Sequence, residues 1–328
     1  MAAVAVSIIV PVYNSSASLV SCLSAIRNSS VAPHEVIVVD DSSSDESAAA
    51  AERGGAQVIR FAERRGPAAA RNAGAEMASG EVLFFLDADV CVHPDGVDRV
   101  QRWFAEDETL AGVMGSYDDT PGALNFLSQY RNLMHAYYHR SGNPRATTFW
   151  TGCGAVRAAA FRQVGGFDAM RYAQSSIEDI ELGYRLYALG LGLRLDPDLQ
   201  AKHLKRWTFW GMIHTDLFAR AIPWTELILA RHRMPDDLNL RTSQRLSVAL
   251  MGGALAGLVP FPPISIVLLA VLTGLNWHFY SFLASRRGWL FAWRAIPLHW
   301  LYFLYSGLGF AVGIARSLVL GRSSPVRV

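Results

Sequence analysis

Along the first third of the chain, apolar residues come in short unbroken runs, and each run stops at a polar turn. Val6-Ser7-Ile8-Ile9-Val10-Pro11-Val12 ends at Tyr13-Asn14, and Val36-Ile37-Val38-Val39 ends at Asp40-Asp41. Val58-Ile59-Arg60-Phe61 follows, and Val82-Leu83-Phe84-Phe85-Leu86 ends at Asp87-Ala88-Asp89. Runs of this length, rich in β-branched residues, predict strands buried on both faces. Between them, Leu19, Cys22, Leu23 and Ile26 fall on one helical face, and an Ala-rich helix is expected after Asp45. Pro67 suits the first position of a helix through Ala68-Ala69-Ala70-Arg71-Asn72-Ala73-Gly74. Strand alternating with helix predicts an α/β fold with a mostly parallel sheet. Ligands of such sheets bind at the carboxyl ends of strands, where Asn14, Asp40, Asp41, Asp87 and Asp89 stand.

Further on, the pattern predicts a helix after Asp95, a strand near Gly112 to Tyr117 and an aromatic-rich helix from Gly122 to His139. Gly152-Cys153-Gly154 follows Trp150, and Gly165-Gly166-Phe167-Asp168 reads as a loop. Glu178, Asp179 and Glu181 then open a helix. Acids in a first turn complement the helix dipole, and Glu181 can pair with Arg185 on the surface, so position alone does not make them catalytic.

After Trp207 the pattern changes. Trp210, Ile213, Leu217, Ala221, Trp224 and Ile228 recur at near-helical spacing, which predicts an amphipathic interfacial helix region over 208–240. Leu246 to Val259 is apolar but short and is broken by Pro260-Phe261-Pro262-Pro263; Ile264 to Leu283 and Ala295 to Leu320 reach spanning length. About three transmembrane spans are expected over 241–321, with a tail over 322–328; one re-entrant hairpin plus one span is the alternative. The arginines between Arg231 and Arg245, with Arg286 and Arg287, predict a multi-pass membrane protein whose catalytic domain faces the cytoplasm. Three spans would place the C-terminus on the far side, against the pull of Arg322 and Arg327.

Composition sharpens this reading. The chain of 328 residues is 51% hydrophobic and 18% charged, with the apolar excess at one end. A net charge of +2 argues against a nucleic-acid partner. Cys22, Cys91 and Cys153 are far apart and odd in number, which suggests neither a disulfide framework nor a zinc site. Met1 to Val12 has no basic flank and reads as a first strand, not a targeting segment. No Gly-x-Gly-x-x-Gly follows the first strand and no Gly-Lys-Ser/Thr loop occurs, so dinucleotide and P-loop sites are disfavoured. A diphosphate would then be held through a metal. Carboxylates at Asp87 and Asp89 are the hard donors that Mg²⁺ or Mn²⁺ takes alongside substrate phosphates, although Asp-x-Asp is also a common turn.

Together these stretches resemble the family 2 glycosyltransferases, which have a GT-A fold, over about Ser7 to Trp207, and the catalytic domain is expected over 1–207. The resemblance implies a nucleotide-sugar site at Pro11, Tyr13, Asn14, Asp40, Asp41, Arg71, Asn72 and Asp87, and a metal on Asp89 and Asp87. It implies a catalytic base at Asp179 supported by Glu178, and acceptor contacts at Trp150, Gly152, Cys153 and Trp207. His203-Leu204-Lys205-Arg206-Trp207 resembles the Gln-x-x-Arg-Trp signature of membrane-bound synthases with His in place of Gln, a departure that weakens processive synthesis. His203 then resembles a metal ligand, and Arg206 would meet the leaving diphosphate. The implied reaction is inverting transfer from a nucleotide sugar, UDP favoured, to a hydroxyl of a membrane lipid or lipid-linked sugar. A polyprenyl-phosphate acceptor is the alternative, but it needs no base; a catalytically silent nucleotide-binding scaffold is the other.

Overall fold

The computed structural model describes residues 4–232 and 234–319. Two compact units emerge. One gathers the chain up to Leu124 and Gly142–Arg206; the other gathers Asn125–Ser141 and the chain from Trp207 onward.

The first unit is built on an eight-stranded sheet of order β3-β2-β1-β4-β7-β6-β8-β5. Its strands are β1 (Val6–Val12), β2 (Glu35–Asp40), β3 (Gln57–Arg60), β4 (Val82–Leu86), β5 (Val90–Val92), β6 (Leu110–Tyr117), β7 (Cys153–Arg157) and β8 (Gly192–His203). Six run in one direction; β7 and β5 run against them. The sheet is therefore mixed, with the parallel strands in the majority. Helices α1 (Ser16–Arg27), α2 (Ser47–Arg53), α3 (Pro67–Met77) and α4 (Gly96–Glu106) follow β1, β2, β3 and β5.

Both faces of the sheet are covered, which is why its early strands carry unbroken apolar runs. Ile8, Val10, Val38, Phe84 and Leu86 join Leu19, Cys22, Leu23 and Ile26 of α1 and Val97, Val100 and Phe104 of α4 in one core. On the other face Phe85 packs against Phe161 and Phe167, with ring centroids 5.6 and 5.3 Å away. Burying one such Phe contributes about 1.5–3 kcal/mol. Pro11, which has no N–H to donate, lies beyond the last β1–β4 pair, Ile9 with Phe85.

The register sets one edge. Running against β4, β7 places its first residue, Cys153, beside Leu86 at the end of β4. β5 likewise places Val90 beside His203 at the end of β8. The loops after β1, β2, β4, β6 and β8 and the chain entering β7 thus share the edge where the parallel strands end.

The second unit is helical. It contains α5 (Phe126–Arg140), whereas α6 (Ala158–Gln163) and α7 (Glu178–Ala188) belong to the first unit. Sequence reading had kept the aromatic-rich helix in the catalytic domain; its Tyr130, Leu133, Met134 and Tyr138 instead share a core with Trp207, Phe279 and Tyr280. Then come α8 (Phe209–His214), a π-helical segment Thr215–Ala221, α9 (Ile222–Arg231), α10 (Thr242–Gly257), α11 (Pro262–Leu275), α12 (Trp277–Arg287) and α13 (Trp289–Val319).

These helices offer, among the described residues, one spanning segment, or two if the bent pair α11 and α12 counts as one, where three were expected. Among the described residues α13 alone, 31 residues long, is long and apolar enough to cross a bilayer. The run expected as Ile264 to Leu283 is divided by a 62° bend between α11 and α12. Asn276 stands at the bend, where its Nδ2 donates to Ser247 Oγ (3.0 Å) and to Leu272 O (2.9 Å), so a polar side chain is satisfied where a straight span would carry an apolar one. Leu246 to Val259 falls mostly in α10, a helix of 16 residues. The unit nonetheless exposes large apolar side chains, among them Val259 at 88%, Ile266 at 69% and Leu290 at 75%. Arg322, Arg327 and the tail over 322–328 lie outside the described residues.

Candidate active site

The loops after β1 and β2 are locked to each other. Asn14 adopts a left-handed conformation (φ 47°), which Asn tolerates better than most residues. Its Oδ1 accepts from Ser44 N (2.8 Å) and Ser44 Oγ (3.2 Å), and its N–H donates to Ser43 Oγ (3.0 Å). Asp40 Oδ1 accepts from Ser43 N (3.1 Å). Asp41 is buried and receives Arg65 N (2.6 Å) and Gly66 N (2.9 Å), one on each carboxylate oxygen. This holds the turn into α3. Gly66 has φ 88°, and a Cβ there would meet Ala173 O at 2.1 Å, so only glycine fits. Tyr13 presents a half-exposed ring with the Arg64 guanidinium 4.1 Å from its centroid. The loops form a polar, backbone-rich rim with one flat aromatic surface.

Arg71 of α3 is the hub. It is buried, and its two terminal nitrogens reach Asp87 Oδ1 (2.7 Å) and Glu178 Oε1 (2.9 Å). One side chain thus ties the end of β4 to the start of α7. A buried guanidinium with two carboxylates is a costly group made tolerable by its partners. Its two terminal nitrogens are thus engaged by protein at a residue expected in the nucleotide-sugar site. Asn72, also expected in the nucleotide-sugar site, is engaged by protein as well: its Nδ2 donates to Phe167 O (2.8 Å) and its Oδ1 accepts from Phe167 N (2.9 Å), so the amide clamps the loop before α7.

Asp179 follows Glu178 at the first turn of α7. Gly183 lets this helix press on the chain before it, since a Cβ there would lie 2.2 Å from Phe149 N. That approach brings Thr151 to Asp179, whose Oδ2 accepts from Thr151 N (3.2 Å) while Oδ1 accepts from Ile180 N (2.8 Å). Burial first, and the Glu178 charge second, push the Asp179 carboxyl up to about 6, against the downward pull of Arg71 and the backbone N–H groups. Such a group is a carboxylate near neutral pH that still binds a proton readily, the condition for a general base.

Asp87 and Asp89 are not part of one extended strand: a tight turn, Val90 N to Asp87 O at 2.9 Å, separates β4 from β5. The two carboxylates still diverge, Asp87 toward Arg71 and Asp89 toward His203. His203 Nε2 lies 3.5 Å from Asp89 Oδ2, and its ring stacks on Tyr117 with centroids 4.3 Å apart. Burial works against the charged form of Asp89, but His203 and Lys205 outweigh it and hold the carboxyl below the ordinary range. Among the described residues no three His, Cys, Asp or Glu side chains gather as a ready metal cage. An oxygen and an imidazole donor side by side fit an open site for a hard divalent ion completed by substrate phosphates. Asp87, also expected to hold the metal, turns one carboxylate oxygen, Oδ1, to Arg71 (2.7 Å).

Trp150 meets Tyr117 edge to face (4.8 Å between centroids), and a Cβ on Gly152 would lie 2.4 Å from the Trp150 ring. The Cys153 side chain is fully buried in the core, which leaves only its backbone for an acceptor. Trp207, expected at the acceptor site, has its indole packed in the core of the second unit, and its backbone N–H donates to Ser128 Oγ (2.7 Å). Arg206 is exposed. Sequence reading missed Thr151, Tyr117 and Arg64. Only Tyr117 carried a signal, as the last residue of a strand ending at the shared edge.

This sheet, with acidic residues on the ends of its strands, defines a GT-A fold. The chain is similar over 94% of its length to the mannosyltransferase PcManGT of Pyrobaculum calidifontis, solved with GDP-Man and Mn²⁺, covering 87% of that chain with a TM-score of 0.59 and 20% identity. It is also similar over 97% of its length to residues 1–349 of S. aureus TarS in complex with UDP-GlcNAc, covering 92% of that chain with a TM-score of 0.55 and 17% identity. Residues 7–165 match the model of glycosyl transferase family 2, and this part of the chain belongs to that family. A pre-mycofactocin glycosyltransferase of Mycobacterium tuberculosis is 29% identical over 154 residues, 45% of this chain and 32% of the relative. The chain spans about a third to a half of the length of the curated relatives it matches.

Proposed function

We propose that this protein is an inverting glycosyltransferase that moves a sugar from a nucleotide sugar to a hydroxyl of a membrane lipid or lipid-linked sugar. The observation that carries the proposal is the part-buried Asp179, poised near neutrality and joined through Glu178 and Arg71 to the Asp87 turn. The base and ribose would sit on Tyr13, Asn14, Asp40 and Asp41. As the acceptor oxygen attacks the anomeric carbon, its proton passes to Asp179 while the bond from that carbon to the phosphate oxygen breaks. One displacement inverts the centre, so an α-linked donor gives a β-glycoside. General-base help of this kind contributes about 10² to 10⁴ in rate. Mg²⁺ or Mn²⁺ on Asp89 and His203 would offset charge on the departing diphosphate.

A uridine donor is favoured from the family resemblance; the two solved relatives named above hold GDP and UDP sugars, so the base is for experiment to decide. The lipid acceptor is supported by α13 and by the exposed apolar side chains around it. Arg286 and Arg287 at the end of α12 support a cytoplasmic position for that end. The test is nucleoside diphosphate release from UDP-, GDP- and dTDP-sugars by the protein in its own membrane lipids with Mn²⁺. Chelator-sensitive release from one donor, with label entering the lipid fraction and both lost in Asp179→Asn, is expected. Nucleotide binding without turnover of any donor, or full activity in Asp179→Asn, would sink the proposal.

A further inference from the structure

Within the second unit lies a cavity of about 260 Å³ that the reaction above does not use. Trp224, Ile228, Val248, Phe303 and Phe310 give it apolar walls. Its inner end is polar but already satisfied: Arg131 pairs with Asp216, which also accepts from Tyr305 OH (2.7 Å). The more open polar side chains are Arg220 and Arg245, whose side chains are 44% and 41% exposed. Asp236 reaches Arg245 at 3.2 Å, and Asp216 lies 3.8 Å from Arg220. Among the described residues, three guanidinium groups therefore meet two carboxylates, and the balance is positive.

A second feature points to the same place. Asp216, Arg220 and Ala221 line the cavity from the π-helical segment Thr215–Ala221. Wide turns of this kind are rare and frequently stand at functional sites. The volume is below the roughly 300–1,000 Å³ of sites for drug-sized ligands, which disfavours a nucleotide and suits one flexible chain. Phe310 (39% exposed) and Phe218 (56% exposed) leave apolar rings on the surface of this unit.

We infer that the cavity holds one acyl chain of an anionic phospholipid, with Arg220 and Arg245 at its head group. The inference is independent of glycosyl transfer and needs no sugar donor to test. The full chain, released from detergent, would be titrated with lysophosphatidylglycerol or lysophosphatidylcholine and bound lipid counted by native mass spectrometry. One retained lysophosphatidylglycerol is expected, preferred about tenfold or more over the zwitterionic lipid, because each arginine near an anionic head group strengthens binding several-fold. Val248→Trp, which fills the cavity, should abolish retention. The double variant R220Q/R245Q should retain both lipids equally, and it decides the matter if the tryptophan variant does not fold. Equal retention of the two lipids by the unaltered protein, no retention, or undiminished retention in folded Val248→Trp would overturn the inference.

Discussion

Replacing Asp179 by Asn should stop transfer and yet make the protein more stable at neutral pH. The carboxyl is raised from an ordinary 3.8 to about 6. At about 1.36 kcal/mol per pH unit, keeping it ionised above pH 7 costs the fold roughly 3 kcal/mol. The sign follows from the direction of the shift: the folded protein holds this proton more tightly than the unfolded chain does. The proton's contribution is therefore fully present below the unfolded pKa and is lost as pH rises through about 6. Asn is neutral at every pH and escapes the cost. Its amide has only one acceptor oxygen, so either Ile180 N or Thr151 N loses its partner, at about 1 kcal/mol. The net gain is about 2 kcal/mol at pH 8, or several degrees in Tm. Below pH 4, where both states of the wild-type carboxyl are protonated, the gain should vanish or reverse. Tryptophan-fluorescence melts of both proteins at pH 8 and pH 4 measure it. A variant less stable than wild type at pH 8 would refute the electrostatic reasoning, whatever its activity.

Other consequences are as concrete. Glu178→Gln removes the charge that helps to raise Asp179, so the acid limb of kcat/KM against pH should move to lower pH; an unmoved or rising limb would contradict the coupling. Asn72→Ala breaks two hydrogen bonds to Phe167 and should lower stability by about 1–3 kcal/mol while leaving UDP affinity unchanged in calorimetry; a selective loss of nucleotide affinity would return Asn72 to the nucleotide site. His203→Ala should raise the Mn²⁺ concentration for half-maximal nucleoside diphosphate release by tenfold or more, on the order of what lost support around a metal costs. An unchanged metal requirement would leave His203 as the stacking partner of Tyr117 alone.

Much of the fold was legible because the early strands are buried on both faces. Their apolar runs and terminal carboxylates are local features, and β1, β2 and β4 fall where those runs stand. β8 was not legible: Gly192–His203 contains Asp196, Pro197 and Asp198 and becomes a strand through its pairing with β6 and β5. β7 was hidden by small residues, since Gly154 and Ala155 carry little apolar signal. The partners of Arg71 and Asn72 were also out of reach. The two residues are adjacent in one helix, and their partners, Glu178 and Phe167, lie 107 and 95 residues away. In the second unit, hydropathy counts apolar residues without seeing that Asn276 bonds to Ser247 and ends a helix there.

The pairing of β5 with β8 also sets a clock. Among the described residues Val90–Val92 has no other neighbour in the sheet, so this strand waits until the chain reaching His203 has been made. At roughly 5–20 residues per second, synthesis leaves that edge open for about 6 to 23 seconds after Asp89 has emerged. Asp89 and His203 cannot meet before then. A nascent chain arrested short of β8 would carry the acidic turn and the loops after β1 and β2 but lack His203, so the Asp89–His203 pair comes into being late, after the first half of the sheet has already been made.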